Sequence, residues 1–368
     1  MTKKTIFLVI ILFFAIFFYG MTVGLYKIFP YEYLNIVNDS IFDENVDNYQ
    51  NNTLEFTGGI GINNENELNV KKKKLINYVW KSDDIPTLYP ELVEKNINDK
   101  RFNDLTNLEQ IDKISITMKH DVDSIVYLFQ PKQSINELVL YHQGHSGGFI
   151  NGKTTIGKLL DSGYTVAAFS MPLIGMNNQP NVEIENLGLI KIVKHDQFSM
   201  LEEENFSSMY YFLNPVSVTL NYIDDNYDLT NYHMVGISGG GWTTTLYSAI
   251  DNRISKSFSV AGSIPLSLRA EKSDVGDYEQ FNSEFYKIAN YVELYIMSSY
   301  GENREFIQIF NKFDSCCFGG TPNDKYEKEI HDIILKLGSG SFQVIIDETH
   351  NEHKISDYAL EHILNRIP

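Results

Sequence analysis

The sequence predicts an α/β fold: a mostly parallel central sheet with helices on both faces. Short β-prone runs alternate with helical stretches from Ile114 to the C-terminus, the pattern of strand and crossover helix that builds such a sheet. A Gly-x-Ser-x-Gly run, Gly236 to Gly240, joins one of these strands directly to a helix. With 368 residues, 43% hydrophobic and 21% charged, the chain can also bury a core of the necessary size.

Residues 114–118 and 124–129 read as antiparallel strands joined by a turn at His120 to Asp123. Leu138–His142 is a short, wholly apolar-facing strand, 154–160 a helix, and 164–169 a further strand. A helix over 215–223, with Pro215 opening it, leads to a strand over Tyr232–Ile237 and the helix after the serine. Strands over 257–261, 306–310 and 342–346 and a terminal helix over 356–367 complete the series. No fixed-period repeat supports a solenoid or propeller. Residues 171–214 exceed a simple crossover and form a candidate lid insertion. Met171, Pro172, Leu173 and Met176 in it are acyl-pocket candidates, with buried packing the weightier reading of each.

Ahead of this domain, residues 5–26 are 22 uncharged, mostly apolar positions flanked by Lys3, Lys4 and Lys27. At 1.5 Å per residue such a run spans the roughly 30 Å hydrocarbon core of a bilayer, so 1–26 reads as a transmembrane anchor, with a cleaved signal segment as the alternative. The leading lysines favour a cytoplasmic N-terminus and a C-terminal domain outside the cytoplasm. Residues 27–75 read as a polar linker, in which Tyr31, Tyr33 and Phe56 could dock locally, and 76–368 as the α/β domain.

A formal net charge of −18 repels phosphate backbones and excludes nucleic acid as a ready partner. The lysine run at 71–74 reads as solvated surface. The two cysteines, Cys316 and Cys317, are adjacent, a spacing that rarely meets disulfide geometry, and no metal-ligand spacing accompanies them. Neither a cofactor nor a metal is expected.

The chemistry centres on Ser238. A serine on a sharp strand-to-helix turn is thrust up at the end of the sheet, and glycines two residues either side let strand and helix approach without Cβ clashes. Upstream, the run His142-Gln143-Gly144-His145 follows the apolar strand directly. With these landmarks in this order, the region from Ile114 onward resembles the α/β-hydrolase superfamily. That resemblance makes Ser238 the nucleophile and implies an oxyanion-binding loop after the apolar strand. Backbone amides of Gly144 or His145, together with Gly239, would then face the developing oxyanion. The same resemblance places an acid after a late strand and a histidine after the last one. Asp314 fits the acid ahead of Asp274 and Asp277. His353 fits the histidine ahead of His350, because it directly precedes the terminal helix. His195 and Asp196 suggest a second site but receive no catalytic role, because the histidine that the resemblance implies follows the final strand. The implied activity is hydrolysis of a small-molecule or envelope-derived acyl ester through an acyl-enzyme. An acyltransferase with the same triad and a non-catalytic binding module are the alternatives.

Overall fold

The computed structural model describes residues 3–26, 59–269 and 275–367, in two units that divide at Gly58. In the first unit, Lys3–Tyr26 is one continuous helix, α1. Leu12, Phe13, Phe14, Ile16, Phe17 and Phe18 are all exposed along it. Among residues with described side chains no helix is long and apolar enough to cross a membrane. Described side chains in α1 are broken at residues 6 and 8–11, so the full apolar run is a property of the sequence. Residues 27–58, which hold most of the expected linker, lie outside the described residues.

The second unit begins at Gly59 and opens with α2 (Glu65–Trp80). The end of the expected linker is therefore helical. Asn64 caps α2 by accepting from the Glu67 amide, and Leu68, Leu75, Ile76, Val79 and Trp80 form its buried stripe. The lysine run lies in this helix and is only partly solvated. Lys71 pairs with Glu293 at 3.1 Å and donates to the Ile288 carbonyl, while Lys72 donates to Asn252. Burial lowers Lys72 to about 8.

Among the described residues, nine strands form the sheet: β1 (Leu92–Glu94), β2 (Leu108–Thr117), β3 (Asp123–Pro131), β4 (Leu138–His142), β5 (Thr165–Phe169), β8 (Tyr232–Ile237), β9 (Ile254–Val260), β10 (Glu305–Asn311) and β11 (Ser341–Asp347). Their order is β1-β2-β3-β5-β4-β8-β9-β10-β11. The pairs from β1 to β5 are antiparallel, and every pair from β5 to β11 is parallel. β2 starts at Leu108, earlier than the apolar run suggests, because its polar Asp112 is buried among partners: Tyr227 and Gln130 side chains, Lys95 and the Asn96 amide.

Among the described residues, strand side chains alternate between two large cores, and Ile264, Phe310 and Phe318 form a small third cluster. Leu138 and Leu140 of β4 join one and Val139 and Tyr141 the other; Phe306 and Ile307 of β10 divide the same way. On the first face lie α2, α4 (Tyr210–Asn226), α5 (Gly239–Ile250), α8 (Tyr291–Ser299) and α9 (Glu327–Leu337), whereas α3 (Lys153–Asp161) and α10 (Asp357–Leu364) cover the second. Between α5 and α8 run the short helices α6 (Tyr278–Phe281) and α7 (Ser283–Ile288). Helix α4 starts five residues before Pro215, which sits inside it. Burial of Tyr211, Phe212 and Leu213 in its first turns outweighs the hydrogen bond that the proline removes. Residues 171–214 include a hairpin, β6 (Asn181–Ile184) with β7 (Gly188–Lys191), and a 3₁₀ segment, His195–Leu201.

Trp80 anchors α2 through a 3.0 Å hydrogen bond from its Nε1 to buried Asn214. Trp80→Ala empties a large site and leaves that amide oxygen without its donor, so urea denaturation is expected to show a loss of about 3–5 kcal/mol. A loss below 1 kcal/mol would mean that α2 is peripheral to the folded domain.

Candidate active site

Ser238 closes β8 and begins α5 with φ 56° and ψ −127°, a conformation that L-residues with a side chain rarely adopt. The glycines around it make the turn possible. A Cβ on Gly236 would stand 2.0 Å from the Gly240 carbonyl oxygen, and one on Gly240 would stand 2.0 Å from that of His142. Strand, elbow and helix therefore meet backbone to backbone, as the sequence spacing predicts. The helix is also tied to itself: hydroxyls of Thr243, Thr244 and Thr245 donate to carbonyls four residues back, at 2.9–3.0 Å.

The loop after β4 lies directly on this elbow. A Cβ on Gly144 would fall 2.5 Å from Ser238 Cβ and 3.1 Å from its Oγ. The His145 ring covers the next turn, since a Cβ on Gly239 would meet its Cε1 at 2.4 Å. Gly239 contributes the first amide of α5, one of the donors that a helix leaves without intrahelical partners. His142 is different. Its ring stacks on Phe169, 5.7 Å between centroids, and burial lowers it to about 4, so it is a neutral core residue. Met171 and Leu173 are buried as core, with Met171 also against the elbow.

Asp314 follows β10, and its Oδ2 lies 2.7 Å from His353 Nδ1 in the loop after β11. An ionised carboxylate can only accept, so the proton resides on Nδ1 and the lone pair on Nε2. Nε2 is buried and has no hydrogen-bond partner. Asp314 Oδ1 accepts from the amides of Cys316 and Cys317 at 2.8 and 3.4 Å. Those cysteines are disulfide-bonded to each other, against the expectation from their adjacency. The tight turn that the pair closes points both amides back at the carboxylate. Burial would raise Asp314, but the His353 hydrogen bond and the two amides outweigh it and hold the carboxyl below its usual range.

His350 is separate. Its Nε2 lies 3.1 Å from Asp347, whose carboxylate also accepts from Thr349 and Ser356. A cavity of about 400 Å³ opens beside His353, lined by Gln143, Ser146, Asn151 and Ile237 among others.

Two further residues that the sequence spacing does not signal stand next to the elbow. His195 Nδ1 lies 3.2 Å from His145 Nε2, and Glu279 Oε1 lies 2.9 Å from that same His145 atom. Asp277, weighed above as the acid, borders this cluster at 3.4 Å from His145, while Asp314 is the carboxylate at His353. Asp274 lies outside the described residues. Burial would lower His195, but Glu279 beside it raises it to about 9; Glu279 is correspondingly held far below the carboxylate range despite full burial. His195 comes from the 3₁₀ segment and Glu279 from α6, each far from residue 145 in sequence, so only the fold brings them together.

No family model and no curated protein matches this sequence. Among solved structures, the chain is similar to acetyl xylan esterase 1 from Thermoanaerobacterium sp., with 13% identity over 84% of this chain and 96% of that one and a TM-score of 0.55. It is also similar to the glucuronoyl esterase from Solibacter usitatus, at 11% identity over 81% and 91%, TM-score 0.54. An acetyl xylan esterase from Paenibacillus sp. R4 gives 12% over 83% and 94%, again with TM-score 0.54. At such identities the likeness shows the fold alone: this chain has the α/β-hydrolase fold.

Proposed function

We propose that the protein is a serine hydrolase of carboxylic esters, with Ser238 as nucleophile, His353 as general base and Asp314 as its partner. The observation that carries this reading is the Asp314–His353 pair at 2.7 Å with Nε2 buried and unbonded. That pair stands after β10 and β11, at the same sheet edge where the elbow raises Ser238 after β8. In the proposed reaction His353 Nε2 takes the Ser238 proton as Oγ attacks the ester carbonyl carbon. Asp314 keeps Nδ1 protonated and stabilises the imidazolium. Amides of Gly239 and of the Gly144–His145 loop receive the oxyanion. His353 then returns its proton to the leaving alcohol, and water, activated by the same histidine, releases the acid. The solved structures of similar fold bear the names of acetyl xylan and glucuronoyl esterases, which accords with ester chemistry. An acyltransferase would differ only in the acceptor, and partition of the acyl group between water and added alcohols separates the two.

We also propose that α1 anchors the protein in a membrane, with the hydrolase domain outside the cytoplasm. The 22-residue apolar run and the exposed Phe and Leu side chains of α1 support this. Full-length protein should remain with membranes after alkaline carbonate washing, whereas a chain beginning at Gly59 should stay in the supernatant. Release of the full-length chain would dismiss the anchor, and a new N-terminus near Val23 to Leu25 would establish signal cleavage instead.

Wild-type protein should be labelled by a fluorophosphonate probe and Ser238→Ala should not. Asp314→Asn should lower kcat by on the order of 10⁴-fold, because the imidazole loses its tautomer, and His350→Gln should leave kcat within a few-fold. Equal labelling of Ser238→Ala would sink the assignment.

Asp314 carries a depressed carboxyl, so its contribution to stability is present above the unfolded value near 3.8 and disappears as pH falls through the lower folded value. The Tm gap between wild type and Asp314→Asn should therefore be full at neutral pH and narrow steadily below about pH 4. A gap independent of pH would show that Asp314 is not held ionised by its partners.

A further inference from the structure

The cluster beside the elbow joins four side chains from three distant segments: His145 after β4, His195 in the 3₁₀ segment, and Asp277 and Glu279 at α6. Their ligand atoms lie within 4.8 Å of one another. His145 Nε2 is 3.2 Å from His195 Nδ1, 2.9 Å from Glu279 Oε1 and 3.4 Å from Asp277 Oδ2. His195 Nδ1 is 3.2 Å from Glu279 Oε1 and 3.6 Å from Asp277 Oδ2. A regular tetrahedron with its vertices about 2.0–2.1 Å from the centre, the zinc–nitrogen and zinc–oxygen distance, has edges of about 3.3–3.4 Å. The five separations bracket that value.

His195 Nε2 lies 2.9 Å from the Pro172 carbonyl, which only accepts, so Nε2 carries the hydrogen and a neutral ring turns its Nδ1 lone pair into the cluster. Glu279 is fully buried, and its Oε2 accepts no hydrogen bond although it stands 3.2 Å from His195 Nδ1. Glu279 thus brings a fully buried carboxylate against two imidazole nitrogens, a donor set that suits a divalent cation.

We infer that His145, His195, Asp277 and Glu279 form a binding site for a divalent transition metal, with zinc the ion that suits two imidazoles and two carboxylates in tetrahedral array. The Pro172 carbonyl supplies the outer hydrogen bond that orients a ligating histidine. Four protein ligands leave no open position for substrate, so the site is structural. It ties the loop carrying Gly144 and His145 to the 171–214 excursion and to α6, and so fixes the wall beside Gly239. The inference does not depend on Ser238 being a nucleophile.

The test uses full-length protein, stripped by chelator and titrated with zinc against a chromophoric competitor. One equivalent should bind and raise Tm. Cobalt in its place should give the intense visible bands of a four-coordinate ion. His195→Asn should abolish those bands. Asp277→Asn, at a side chain 48% exposed, keeps the fold intact and should weaken zinc by at least about 10–100-fold. Zinc that binds wild type and a folded Asp277→Asn chain equally, or fails to bind wild type, overturns the proposal and leaves the four side chains as an ion-paired cluster.

Discussion

Everything at the candidate site depends on the backbone of Ser238 being held at positive φ. That conformation is unfavourable in isolation and persists because its surroundings leave no alternative. The Gly236 and Gly240 backbones are in contact, the Ser238 amide donates to the Val260 carbonyl at 2.9 Å, and the Trp242 amide returns to the Ser238 carbonyl at 2.9 Å. Each contact removes a direction in which the turn could relax. The residual freedom is in the side chain, whose hydroxyl stands at the sheet edge beside the Gly144 loop.

Asp314 and His353 are held by a different kind of constraint. Their strands, β10 and β11, pair in parallel from Glu305 with Ser341 through to Asn311 with Asp347, so the two loops leave the sheet at the same level. Asn311 adds a cross-brace, donating to the Lys354 carbonyl at 2.9 Å. A disulfide between neighbours then shapes the turn whose amides support the carboxylate. Sheet geometry supplies coarse placement, and local hydrogen bonds supply orientation.

Much of this was legible in the sequence where a residue type and a period coincide. The continuous apolar run that ends at His142 and the glycines around Ser238 carry their meaning locally, because the steric need for them is local. The limits of β2 and α4 were less legible: the sequence starts the strand at Ile114 and the helix at Pro215, whereas burial and its partners carry Asp112 into β2 and burial of Tyr211 to Leu213 extends α4. The beginning of the domain was misread for a related reason. Glu65 to Lys74 is polar enough to pass for linker, and its sparse apolar positions matter only because a core lies beneath them. Least legible was the grouping of His195, Asp277 and Glu279 around His145, since no short-range pattern connects positions so far apart along the chain. Likewise the neighbouring cysteines read as unlikely to bond, a judgement made from spacing alone.

The loop after β11 contains two histidines three positions apart, each with a carboxylate of its own. Asp347 already serves Thr349, His350 and Ser356, whereas Asp314 faces His353 and its turn amides. The two histidines compete for one role in the sequence, yet the structure gives them separate carboxylates. Each carboxylate has its own partners, and withdrawing Asp347 would release the hydroxyl of Ser356, the N-cap of α10. The second pair secures the floor on which the first one stands, and the loop's tolerance for change is correspondingly small.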